Sequence, residues 1–177
     1  GFQATGIDKI LKESGVAKMT LYNHFKSKDE LILAVLRRRD ETFRNWFMRV
    51  VEGASDSPRE RLLAVFDALA QWFGQDDFSG CTFINATAEF GDREDAIRGS
   101  CVEHKQLVLG YLEELAEAAG ARNPKDLAFA LNLLAEGAVV AARVMDSRDA
   151  AERAKRSAII LIANALDPEA PARETAS

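Results

Sequence analysis

The sequence predicts an all-α protein, and three observations carry that prediction. Apolar residues recur at three- and four-residue spacings along most of the chain. Glycines and Ser, Asn or Asp residues stand where those runs stop and start. Hydrophobic residues make up 47% of the 177 positions, and only 4 are proline, two of them at expected first turns.

The first helix follows Thr5, a candidate N-cap, with Ile7, Ile10 and Leu11 on one face. It stops before Gly15, where positive φ is needed. A second short helix spans about Ala17 to Phe25, turning Leu21 and Phe25 inward and Lys18, Met19, Tyr22, Asn23 and His24 outward. Two short helices joined by a glycine turn form a helix-turn-helix, whose second helix can enter a DNA major groove. The outward residues suit that use: Lys18 for phosphate, Asn23 for an adenine edge, Met19 and Thr20 for a thymine methyl, Tyr22 and His24 for backbone oxygens.

Ser27-Lys28-Asp29-Glu30 reads as a capping box opening a helix to about Glu52; Lys28 opposes the helix dipole there but is placed to meet a phosphate. Gly53 to Ser57 is expected to be a linker. Ser57-Pro58-Arg59-Glu60 is a second capping box, followed by Leu62, Phe66, Leu69 and Phe73 and a stop at Gly74. After a polar loop, Cys81 to Phe90 forms a short helix that Asn85, Thr87 and Glu89 make partly polar, ending at Gly91-Asp92. The next runs from about Glu94 to Ala119, with His104 the odd member of an apolar stripe that includes Ile97, Cys101, Tyr111 and Leu115.

Asn123-Pro124-Lys125-Asp126 caps a helix to about Met145 with two apolar faces, one of them holding Phe129, Leu133, Val140 and Val144. The last helix starts at Ser147 or Asp149 and is apolar all round from Ala158 to Ala163, including Ile159 and Ile162. Two apolar faces require two neighbours. The expected organisation is a head at 1–49, a body at 50–166 and a disordered tail at 167–177.

Net charge is −5 overall, yet residues 1–49 carry ten Lys and Arg against six Asp and Glu, a balance of +4, and the remainder carries −9. A basic head on an acidic body is expected where only the head meets nucleic acid. The two cysteines are too few for a disulfide framework or a four-cysteine zinc site, and Cys101 with His104 alone does not make a metal site. No metal, cofactor, membrane span or signal peptide is expected, and the chain reads as cytoplasmic. Nothing in the spacing supports catalysis.

Gly1, Phe2, Thr5, Gly15, Val16, Thr20 to Tyr22, His24, Phe25, Ser27, Lys28 and Leu31 together resemble the TetR/AcrR-type bacterial transcriptional regulators. Three departures stand out: Ala17 replaces the usual capping Ser, Met19 replaces a frequent Gly, and the family's first helix, expected ahead of Gly1, is missing from the sequence. The resemblance implies DNA contacts from Thr5, Lys18, Met19, Thr20, Tyr22, Asn23, His24 and Lys28. It implies a body pocket for a small-molecule effector, with Phe66, Phe83, Asn85, Thr87, Glu89, His104 and Tyr111 as candidate lining. It also implies a homodimer joined through the last two helices by Phe129, Leu133, Val140, Val144, Ile159 and Ile162, against which stands a monomer whose core uses both faces. The expected function is repression at a palindromic operator on double-stranded DNA, relieved by an apolar or amphipathic ligand. Activation or corepression is the alternative, as is a ligand carrier or interaction module with an unused head.

Overall fold

The computed structural model describes residues 1–91 and 96–167. These form α1 (Ile7–Ser14), α2 (Lys18–His24), α3 (Lys28–Ala54), α4 (Pro58–Phe73), α5 (Thr82–Phe90), α6 (Ala96–Ala118), α7 (Pro124–Val144) and α8 (Ala150–Leu166), with no strand among the described residues. The all-α expectation holds. The start of α6 expected at Glu94 and the tail after Asp167 lie outside the described residues.

The described chain divides into two compact units, residues 1–45 with 81–107 and residues 46–80 with 108–167. In the first, α1 ends at Gly15, whose φ of 68° and N–H bond to the Leu11 carbonyl close the helix. Its start corrects the expected cap: Gly6 holds the N-cap position, and the Thr5 hydroxyl donates backwards to the Gly1 carbonyl at 2.8 Å. At α2 the N-cap is Ala17, without a side-chain bond, as its methyl group dictates. The box at Ser27 forms in a shifted version: Ser27 Oγ accepts from Glu30 N–H at 3.2 Å, while the Glu30 carboxylate accepts from Lys26 N–H at 2.6 Å, one residue ahead of the N-cap.

The linker expected at Gly53 is shorter than expected, because α3 continues to Ala54. The cap ahead of α4 differs too. Ser57 makes no side-chain cap bond; Ser55 instead donates to the Glu60 carboxylate and accepts from Ser57 N–H at 3.1 Å, while Arg61 Nε donates to the Ser55 carbonyl at 2.6 Å. The three-residue turn is thus held by the serine two positions earlier.

In the second unit α8 packs along both α7 and α4. Ala150, Ala154, Ala158 and Ile162 recur every fourth residue and are all buried, so small side chains line one face of α8. Leu62, Phe66, Leu69 and Phe73 of α4 and Leu127, Leu131 and Ala138 of α7 fill the core, and Lys155 Nζ reaches both Asp67 oxygens at 2.6 and 2.7 Å. The loop after α4 is pinned by Phe78, whose ring centroid lies 5.1 Å from Trp72 and 5.0 Å from Phe73. Gly80 is favoured there by its φ of +83°, and an added Cβ would sit 3.1 Å from Arg143 Cγ, close enough that the arginine side chain would have to shift.

Among the described residues α7 is the one helix long and apolar enough, by length and composition alone, to cross a membrane. An 18-residue window within its 21 residues reaches a mean hydropathy of 1.6, and a third of that window is buried inside the unit. Asn132, Glu136 and Arg143 lie inside that window, so it holds no unbroken 18-residue apolar run. Ile162, expected at a subunit interface, is instead a core residue at 1% exposure; its neighbours Ile159 and Ile160 face outward.

Candidate nucleic-acid interface

Seven residues make up α2, and Leu21 is its only buried one. Leu21 anchors the helix while the rest of its surface stays open. Lys18, Met19, Thr20, Tyr22, Asn23 and His24 are all exposed, Met19 at 74%. The six residues expected to face a groove therefore share one uncovered surface. It presents an ammonium, an amide, hydroxyls, an imidazole and a thioether, a set able to meet both phosphates and base edges.

The other two expected DNA contacts have partners within the chain. Thr5 is half-buried with its hydroxyl proton given to Gly1, and Lys28 Nζ donates to the Gln3 carbonyl at 3.0 Å. Thr5 keeps its acceptor lone pairs and Lys28 keeps two N–H donors for a phosphate.

Spacing along the sequence missed what holds the N-terminal segment. Gln3 N–H donates to the Glu89 carboxylate at 2.7 Å, the Gln3 amide donates to the Glu89 carbonyl, and the Phe2 and Phe90 rings lie 6.3 Å apart. The Gln3 backbone N–H holds the Glu89 carboxyl below its usual pKa, with that of Phe2 assisting. Glu89, a pocket candidate, thus clasps the segment ahead of α1 within the first unit. Asn85 and Thr87 are exposed on α5, and the Thr87 hydroxyl donates to the Phe83 carbonyl at 2.9 Å.

His104 is a satisfied core histidine. Its Nδ1 lies 2.7 Å from Asp40 Oδ1, its ring stacks on Phe83 at 3.7 Å and 12°, and Phe43 meets it edge-on at 5.9 Å. Arg44 holds both Asp40 oxygens, at 2.8 and 2.6 Å. That guanidinium keeps the Asp40 carboxyl below its ordinary pKa. Burial pushes the His104 imidazole down and outweighs the opposing pull of Asp40. The arrangement is an ionised Asp40 accepting from a neutral imidazole. Among the described residues no cluster of His, Cys, Asp and Glu could hold a metal ion.

Phe66 and Tyr111 are buried in the second unit, whereas the remaining pocket candidates lie in the first. A described cavity of about 190 Å³ in the second unit is lined by Phe73, Phe78, Arg143, Asp146 and Arg148 among others, and by none of the expected residues. Phe129, Leu133, Val140 and Val144 of α7 and Ile159 of α8 are exposed, leaving both helices with an uncovered apolar face.

An all-α chain with an open helix-turn-helix surface in a basic N-terminal segment defines a DNA-binding regulator class. The family model described as "Bacterial regulatory proteins, tetR family" matches residues 1–35, and "Tetracyclin repressor-like, C-terminal domain" matches residues 58–158. The chain belongs to the TetR family. It is 25% identical over 118 residues to the HTH-type transcriptional repressor NemR of Escherichia coli, covering 66% of this chain and 59% of that protein's length. It is 37% identical over 76 residues to the HTH-type transcriptional activator FasR of Mycolicibacterium smegmatis, covering 43% of this chain and 34% of that protein. The crystal structure of a TetR-family transcriptional regulator from Streptomyces coelicolor superposes with a TM-score of 0.86 at 28% identity, covering 94% of this chain and 88% of the other.

Proposed function

We propose that this protein is a ligand-responsive transcriptional repressor that binds a palindromic operator as a homodimer and leaves it when a small apolar or amphipathic molecule occupies the body. The observation that carries this reading is the open surface of α2, where Lys18, Met19, Thr20, Tyr22, Asn23 and His24 are all uncovered. Two copies joined through α7 and α8 would present two such helices to successive major grooves about 34–36 Å apart. Because α3 runs without a break for 27 residues from Lys28 to Ala54, a shift at its C-terminal end would be felt at its first turn. A ligand then changes operator affinity by its differential affinity for the two head spacings. The reading involves no catalysis, and it places the protein in the cytoplasm.

Activation is the second reading, favoured by the activator FasR among the relatives. Fluorescence-anisotropy titration against DNA upstream of the protein's own gene, with a scrambled control and several salt concentrations, tests DNA binding. Sequence-selective binding that weakens linearly in log salt is expected. Equal, weak binding to both DNAs would sink it in favour of a carrier or interaction module. Transcription from that promoter in vitro then separates repression from activation.

A further inference from the structure

The hydroxyl of Tyr111 is the one fully buried side-chain polar atom without a hydrogen-bond partner among the described residues. The residue is 8% exposed, and its ring lies edge-on to Phe47 of the same unit at 6.2 Å and 73°. Phe47 is itself buried, as are Leu112 and Leu115, the next apolar residues along α6. A donor left unmet in such surroundings opposes folding, and phenylalanine would supply the same ring without that cost. The hydroxyl therefore calls for a partner that none of the described residues provides.

Its chemistry narrows the partner. Burial pushes the phenol up to about 12, with Glu52 and Glu114 adding to the effect and Arg61 opposing it. Tyr111 therefore stays protonated and offers a hydrogen. An anionic ligand would meet the repulsion of those two carboxylates. Arg61, the nearby cation, already donates to the Ser55 carbonyl and lies 3.9 Å from Asp56. An uncharged acceptor on an otherwise apolar body fits best. Resting on the reading that a small molecule occupies the body, we propose that Tyr111 is the hydrogen-bond donor of the effector site and selects uncharged apolar molecules carrying a carbonyl oxygen.

The test needs no DNA. Calorimetric titration of the full chain with acetophenone and benzophenone is compared with α-methylstyrene and 1,1-diphenylethylene, which replace the carbonyl oxygen by CH2. The ketones are expected to bind about tenfold tighter than their isosteres, and Tyr111→Phe to abolish the preference. The same variant is expected to raise the unfolding midpoint of the ligand-free protein by a few degrees, because it removes an unmet donor. Phe47→Leu, which loosens the packing and leaves the hydroxyl, should weaken all four probes and keep the preference.

A lowered midpoint in Tyr111→Phe would show that the hydroxyl has an internal partner and overturn the proposal. So would ketones that bind no better than their isosteres, or a preference that Phe47→Leu abolishes. Failure of the regulatory reading is separable: Tyr111-dependent ketone binding that leaves operator affinity unchanged would keep the site and remove its regulatory role.

Discussion

Asn23 and Lys18 stand one and a half turns apart on the same exposed helix, yet their substitution should fail differently. An amide that pairs with a base edge carries sequence information, so Asn23→Ala is expected to cost about 1–3 kcal/mol on the operator and little on scrambled DNA. An ammonium on a phosphate carries none. Lys18→Ala should weaken both DNAs alike and reduce the slope of log K against log salt by about 1. Equal losses on both DNAs for Asn23→Ala would remove it from the reading set. Within the first unit, Asp40 and His104 make stability depend on pH. Both pKa values are depressed in the folded state, Asp40 chiefly by Arg44 and His104 chiefly by burial. The unfolded chain therefore binds more protons, and the stabilisation, complete above the unfolded histidine value of about 6.5, is lost as pH falls towards the folded one, with Asp40 adding a further loss at lower pH. Urea unfolding of wild type and His104→Gln between pH 8 and 5 checks the sign. The variant should lose the histidine part of the slope, and a wild type that gains stability on acidification through pH 6 would contradict it.

Among the elements, α2 is one of several whose N-cap makes no side-chain bond, and the one where a single added hydroxyl would lie beside the exposed face. Ala17 has the extended backbone of an N-cap, φ −66° and ψ 143°, but no side-chain acceptor. Ala17→Ser is expected to add about 0.5–2 kcal/mol to unfolding, measured by urea denaturation, without moving any residue of the exposed face. No change in the midpoint would mean that water already satisfies those N–H groups. This element was legible because its signals are local: Gly15 and the box at Ser27 bracket it within thirteen residues, and the identity of Ala17 alone reports the empty cap. The cap of α4 was not, since Ser55 and Ser57 have the same chemistry two positions apart and only the path of the turn chooses between them. Nor was the role of Glu89, because its partner Gln3 is 86 positions away and no periodicity links them. In α8 the all-apolar run from Ala158 to Ala163 cannot say which isoleucine turns inward; packing buries Ile162 and leaves Ile160 70% exposed.

For the molecule as a whole, the open question is what covers the outer faces of α7 and α8. Phe129, Leu133, Val140 and Val144 follow one another along α7, Val144 at 76% exposure, with Ile159 and Ile160 on α8. Contiguous apolar surface of that kind is uncommon on monomers, and α7 is also long enough to enter a bilayer. The family assignment favours a second copy. The matched C-terminal region, residues 58–158, contains all of α7, and the palindromic operator proposed above would require two-fold symmetry. In a two-fold interface each substitution appears twice, so Leu133→Glu with Ile160→Glu would bring four carboxylates into apolar contact. Sedimentation velocity is expected to show a dimer for wild type and a monomer for the double variant, with unchanged helicity because both side chains point away from the unit's core. Operator affinity should fall to that of a single half-site, while affinity for a half-site duplex should not change. A wild type that is monomeric at micromolar concentration, or that floats with lipid vesicles in place of forming dimers, would reject the paired bundle, and the apolar face of α7 would then belong to a different partner.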